Sequence, residues 1–180
     1  MRPEIPHNTG CVARLAAALG LRLHLVEPLG FSLEDRHLKR AGLDYWPLVD
    51  LVVHPSWEAA WRSLSAGGAR PCADRLRLFT ARGGRSLFAL DFAADDVLVF
   101  GSESVGLPRA ILDGHPASRV YVPIRAQVRS LNLANVVCLS VYTAMVRAGL
   151  PLPDNDGRHD PHPLASEDVR PSSRVQRVDA

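Results

Sequence analysis

Leu98–Pro108, LVFGSESVGLP, and Val122–Val137, VPIRAQVRSLNLANVV, decide how this chain of 180 residues is read. Each stretch starts as an apolar run of β type, passes through a loop of glycine and small polar residues, and ends at a helix start. Two such units close together build a pocket edged by free backbone amides, as a nucleotide-like ligand requires.

Working outward, the chain alternates strands and helices. Asn8 or Thr9 caps a helix that runs to about Leu19 and ends at Gly20. Leu21–Val26 reads as a strand. Ser32 caps a helix through about Ala41, with Asp35 in a capping-box-like position. Leu48–Val53 is a second strand, and Pro55 opens a helix that carries Trp57 and Trp61 on one face. Leu76–Thr80, Val97–Phe100 and Val120–Val122 are further strands; Pro108 starts a short helix and Asn132–Ala148 forms the last long one. This pattern predicts an α/β fold with a mostly parallel sheet flanked by helices. Residues 1–150 form one domain. Residues 151–180 are proline-rich, charged and nearly free of large apolar residues, and are expected to be a disordered tail.

Composition excludes several classes. No apolar run reaches the roughly 18 residues that span a bilayer, and MRPEIPHNTG has no apolar h-region of a secretory signal. Cys11, Cys72 and Cys138 stand at unrelated spacings without a CxxC, which reads as reduced thiols in a cytoplasmic protein. HDPH, with His159 and His162, lies in the tail without a rigid frame, so no metal site is expected. Net charge is +2, but the tail carries −2 and residues 1–150 carry +4; all basic residues of the body except Lys39 are arginine. Arginine pairs with phosphate through a planar fork, although a GC-rich genome gives the same bias.

Several residues could carry chemistry, each with a plainer alternative. Gly101 and Gly106 bracket Glu103 in a loop where backbone could approach a ligand; a single glycine is by default a strand-end turn. Ser130, Asn132 and Asn135 cluster at a helix start, where capping alone explains one of the three. Arg14 shares a helix face with Gly10, and a solvated arginine is the usual case there. Arg36, Lys39 and Arg40 form a basic cluster followed by Tyr45 and Trp46. Such a face suits an RNA loop, with phosphates on arginine and bases on rings; a solvated face with two core aromatics is the alternative. Tyr142 on an otherwise apolar helix is usually a core residue.

In the order of these motifs the chain resembles the SPOUT (trefoil-knot) RNA 2′-O-ribose methyltransferases. Within them it looks most like the bacterial tRNA (cytidine/uridine-34) 2′-O-methyltransferase family, which shares the stretch around RAGLDY. The resemblance covers about residues 3–150 in three blocks: N-x-G-x-x-x-R (Asn8, Gly10, Arg14), GxExxGLP (Gly101 to Pro108) and RSLNLAN (Arg129 to Asn135). It implies a deep trefoil knot near the C-terminal half and a homodimer with the active site at the subunit interface. The implied cofactor is S-adenosylmethionine, the partner the tRNA anticodon loop, and the reaction methyl transfer to the ribose of nucleotide 34. The same transfer on another tRNA or rRNA site and an inactive RNA-binding relative remain alternatives. By resemblance, Phe79, Gly101, Val122 and Ser130 hold the cofactor, while Arg14, Ser130 and Asn132 are catalytic. Arg14, Arg36, Arg40 and Tyr45 meet the RNA. A guanidinium keeps its proton above pH ~12, so Arg14 is read as positioning and stabilising charge rather than as a base. A sulfonium donor is already activated, so such a site needs neither a metal nor a nucleophilic triad.

Only Met1 and Arg2 precede Pro3, where members of that family carry an apolar strand. In a parallel sheet a missing inner strand leaves its neighbours with unpaired backbone groups. The expectation is that the natural protein starts upstream and that a chain beginning at Met1 is less stable.

Overall fold

The computed structural model of the protein describes residues 1–33, 45–67, 70–154 and 175–178. The first half runs through α1 (Pro6–Leu19), β1 (Arg22–Val26), a 3-10 turn (Trp46–Leu48), β2 (Asp50–His54), α2 (Trp57–Ala66), α3 (Cys72–Arg75) and β3 (Leu76–Phe79). There follow β4 (Arg85–Ser86), a 3-10 turn (Leu87–Ala89), β5 (Val97–Val99), α4 (Arg109–Gly114), a 3-10 turn (Pro116–Ser118), β6 (Arg119–Tyr121), α5 (Leu133–Arg147) and β7 (Val175–Arg177). The expected α/β architecture is present, and every ladder between these strands is parallel. The helix expected over Ser32–Ala41 lies almost wholly outside the described residues.

The strands form two sheets, ordered β1-β2-β7 and β4-β6-β3-β5. In the first, Arg22 pairs with Asp50 and Val26 with His54. Its core holds Ala13, Leu25, Val49, Leu51 and Val53, with Ala17 and Trp46 packed against them. In the second, Leu76 pairs with Val97 and Leu78 with Arg119. Its two faces bury separate clusters, one around Leu76, Leu78 and Ile111, the other around Phe79, Leu87 and Val120.

Two details correct the sequence reading. α1 starts at Pro6, with Ile5 at the N-cap and no side-chain cap, so neither Asn8 nor Thr9 caps it. Proline's fixed φ suits the first helical position, and Asn8, now inside the first turn, is freed for another role. The tail is also not wholly without regular structure. Val175–Arg177 adds to the outer edge of β2, with Leu51 opposite Val175 and Val178 N–H on Val53 O at 3.1 Å. An open strand edge rewards backbone pairing whatever the side chains, so composition could not reveal it.

β1 and β5 are edges of different sheets, and among the described residues no strand lies between them. They border a cleft of about 370 Å³ whose walls include Leu23, Leu25, Val97, Val99, Trp57 and Leu64. The start of the chain bridges one end. The Met1 ammonium donates to Phe100 O at 2.7 Å, and Arg2 N–H donates to Val26 O at 2.8 Å. His24 also lines this cleft and stacks on buried His54, with Nδ1 of the former 2.8 Å from Nε2 of the latter. Burial first, then the neighbouring His54 and Arg22, pushes His24 down to about 4, against the weaker pull of Asp50. Burial alone lowers His54.

Candidate active site

β6, β3 and β5 are neighbours, so their carboxyl ends lie side by side, the place where open α/β sheets present ligands. Phe79 ends β3, Phe100 follows β5 and Val122 follows β6. The two phenylalanine rings stack with centroids 4.4 Å apart. Above them opens a second cleft of about 530 Å³, lined by Phe79, Gly101, Val122, Ser130 and Asn132 among others. The structure thus gathers every residue that the sequence assigned to cofactor binding.

The 101–107 loop is folded on itself. Ser102 and Gly106 exchange backbone hydrogen bonds, Ser102 N–H to Gly106 O at 3.2 Å and Gly106 N–H to Ser102 O at 2.9 Å. A Cβ on Gly101 would fall inside the Gly106–Leu107 peptide. The reason for glycine here is therefore the close approach of the loop to itself, not only that of a ligand. Gly106 has φ +73° with open space around its Cα, so glycine there relieves backbone strain alone.

Glu103 is the centre of the polar bracing. Its carboxylate accepts the Glu4 N–H at 2.8 Å, the Ile5 N–H at 3.3 Å and Asn8 Nδ2 at 2.9 Å. Glu4 answers by accepting the Ser104 N–H at 3.2 Å and the Ser104 hydroxyl at 2.7 Å. Asn8, 3% exposed, accepts Asn132 Nδ2 on its Oδ1 at 3.0 Å. Asn132 Oδ1 caps α5 by accepting Ala134 and Asn135 N–H at 2.9 and 3.3 Å. Asn132 therefore caps the helix and also reaches across to α1. The chain Glu103–Asn8–Asn132 ties the three motif blocks together. Glu103 is a site residue that its motif alone does not single out; its place between Gly101 and Gly106 is the one sequence signal it carries. Arg129 donates to Ser104 O at 3.1 Å and closes the two loops on one another.

The cleft suits S-adenosylmethionine in its walls and its volume. Phe79, Phe100, Val122, Ile124 and Leu133 offer apolar surface, the loops offer backbone polar groups, and the volume is that of a small-ligand site. The Ser130 side chain is exposed at its rim and has no partner among the described residues.

Arg14 does not line this cleft. It is exposed on α1, six residues beyond Asn8, and its guanidinium carbon lies 5.0 Å from the centroid of the Tyr45 ring. Arg36, Lys39 and Arg40 lie outside the described residues. Tyr142 is 41% exposed and shares an α5 face with exposed Leu139 and Val146, so it is not a core residue. Among the described residues no group of three or more His, Cys, Asp or Glu side chains could hold a metal ion, and no helix is long and apolar enough to cross a membrane.

This fold of parallel strands, with its braced pair of loops at their carboxyl ends, matches an RNA methylase class. The chain belongs to the SpoU rRNA methylase family, whose model it matches over residues 1–142. Among particular relatives, it is 44% identical over 168 residues to the tRNA (cytidine(34)-2′-O)-methyltransferase of a Polaromonas species, covering 93% of this chain and 95% of that one. The enzyme of the same description from Yersinia pestis is 42% identical over 150 residues, covering 83% and 91%. A solved structure described as giving insight into 2-OH methylation of C/U34 on tRNA superposes with a TM-score of 0.75 at 47% identity, covering 82% and 92%. The SpoU methyltransferase AviRb from Streptomyces viridochromogenes, in complex with the cofactor AdoMet, gives 0.68 at 26% identity, covering 81% and 57%.

Proposed function

We propose that this protein is an S-adenosylmethionine-dependent tRNA methyltransferase that acts on the ribose 2′-hydroxyl of nucleotide 34. The observation that carries the reading is the Glu103–Asn8–Asn132 chain beside the 530 Å³ cleft, built from the same three motif blocks that match the family. S-adenosylmethionine, held there, supplies an already activated methyl group. Phe79, Val122 and the 101–107 loop bind it, and Ser130 offers an unpaired hydroxyl for orientation. Asn132 fixes the start of α5, and with it the amides at the helix end nearest the cleft. Arg14, with its charge unneutralised by any described carboxylate, stabilises negative charge as the acceptor hydroxyl loses its proton.

The RNA-binding surface on this reading comprises Arg14, backed by the Tyr45 ring, and the basic residues Arg36 and Arg40. Arg14 lies outside its own cleft, which is what a shared site between two subunits would require; the exposed α5 stripe of Leu139, Tyr142 and Val146 supports a homodimer. The knotted path is part of the same reading, supported by the way the 101–107 and 122–132 loops brace each other through Arg129. A cytoplasmic location follows from the tRNA substrate. The test is methyl transfer from radiolabelled S-adenosylmethionine to bulk tRNA, followed by mapping of ribose methylation. Label at nucleotide 34 is expected. Label at another site would assign the chemistry to a different target, and no transfer would leave an RNA-binding relative.

A further inference from the structure

We infer that Tyr45 is a positioning residue for Arg14: its ring holds the guanidinium by one face and leaves the charge and hydrogen-bonding edges free for RNA. This rests on the reading of Arg14 as the charge-stabilising group of methyl transfer, and adds the residue that holds it in place.

An exposed arginine samples many rotamers and must lose side-chain entropy to act from one of them. A carboxylate partner is the common restraint. It would also neutralise the charge and take up N–H donors. Several described carboxylates serve other arginines in this way: Asp50 holds Arg22, Asp95 and Asp96 hold Arg70, and Asp113 holds Arg119. Arg14 has no hydrogen bond or ion pair with any described residue, and its guanidinium carbon lies 5.0 Å from the centroid of the Tyr45 ring. A ring face attracts the cation through its quadrupole and leaves all the in-plane N–H donors available.

Tyr45 is itself anchored. It leads into the 3-10 turn of Trp46–Leu48, closed by Leu48 N–H on Tyr45 O at 2.9 Å and Val49 N–H on Trp46 O at 3.2 Å. Trp46 packs in the cluster that contains Ala13 and Ala17, one turn apart on α1 and flanking Arg14 in sequence. The turn thus seats the ring against α1 beside the arginine. The sequence reading gave Tyr45 to RNA stacking; one face of that half-buried ring is already occupied.

The experiment compares steady-state methylation of tRNA by the full chain with that of Tyr45→Phe, Tyr45→Leu, Arg14→Ala and the Tyr45→Leu/Arg14→Ala double variant. Tyr45→Phe keeps the ring and should stay within about twofold of wild type. Tyr45→Leu should lose roughly five- to tenfold in kcat, with the KM for tRNA within about twofold. In the Arg14→Ala background the leucine should cost nothing further. A rise in KM at unchanged kcat would make Tyr45 an RNA-stacking residue and overturn the inference, as would an equal loss in both backgrounds. If Arg14→Ala alone keeps full turnover, the reading of Arg14 fails instead. The contact is then judged separately: with ¹⁵N-labelled arginine, the Arg14 Nε–H resonance should be ring-current shifted in wild type and Tyr45→Phe, and lose that shift in Tyr45→Leu. An unchanged resonance in Tyr45→Leu would overturn the contact itself.

Discussion

Two places in this protein bring strands together and finish them in opposite ways. At the carboxyl ends of β3, β5 and β6, the chain leaves the sheet in loops whose polar groups are matched across long sequence distances, Glu4 to Ser104 and Asn8 to both Glu103 and Asn132. Between β1 and β5, the strands face each other over a largely apolar cleft that the first two residues bridge at one end. Both are cavities of several hundred cubic ångströms. One is walled by a braced polar network that can hold a ligand in one orientation. The other is walled largely by apolar side chains and strand edges, with His24 among its few polar groups. A cavity becomes a site through fixed polar groups, not through volume.

The largest effect expected from breaking the braced region comes from Gly101→Val. Its Cβ would collide with the Gly106–Leu107 peptide, so the loop must open. Cofactor affinity should fall by at least about 100-fold, or ~2.7 kcal/mol, as read by calorimetry. Retained affinity would show that the loop is not what shapes the cleft. Glu103→Ala should be the next most damaging, since it orphans two backbone N–H groups and the Asn8 amide. Hydrogen bonds to a charged acceptor are worth about 1.5–3 kcal/mol each when well buried. These are partly exposed, so a loss of roughly 2 kcal/mol and 4–8 °C in Tm is the expected scale. A melting curve that does not move would make the network ornamental.

The apolar cleft can be probed through His24 and the buried His54 stacked on it. Both are lowered in the folded protein, His24 to about 4, so between that value and the ordinary 6.5 the unfolded chain binds more protons. Their contribution to stability is therefore complete above pH ~6.5 and is lost as pH falls toward 4. Tm should drop by about 4 °C or more over that window, and His24→Phe should flatten the slope. An identical slope in the variant would place the pH dependence elsewhere. The smallest effect belongs to the far edge of the same sheet. Truncation after Leu150 removes β7 and uncovers β2, and should lower Tm by about 2–4 °C, on the scale of ~1 kcal/mol at this size, while leaving methyl transfer unchanged. No change at all would mean that the strand pairing contributes nothing net.

Much of the site was legible because its parts are local. Strand, glycine loop and helix start follow one another within a few residues in Leu98–Pro108 and again in Val122–Val137, and local order is what periodicity and capping rules report. Asn132 could be read as a cap because a cap bonds to amides two and three residues away. Asn8 could not be read correctly. Capping rules saw an asparagine near a helix start, whereas its partners Glu103 and Asn132 lie about a hundred residues along the chain. Glu103 is hidden for the same reason, and Tyr45 reads as an RNA contact because nothing in its neighbourhood announces Arg14.

The sequence by itself determined the α/β alternation, the two loop-to-helix units, a helix cap at Ser130 or Asn132, and the family. Each of these depends on side-chain periodicity, turn chemistry or a motif carried by contiguous residues. Only the tertiary structure decided that Gly101 is needed by its own loop, that Glu103 and Asn8 join the three motif blocks, that Val175–Arg177 covers the edge of β2, and that β1 and β5 stand apart around a cleft. Those outcomes depend on which backbone and polar groups from distant segments meet. A hydrogen bond must be satisfied by whatever lies within about 3 Å in space, and distance along the chain does not specify it.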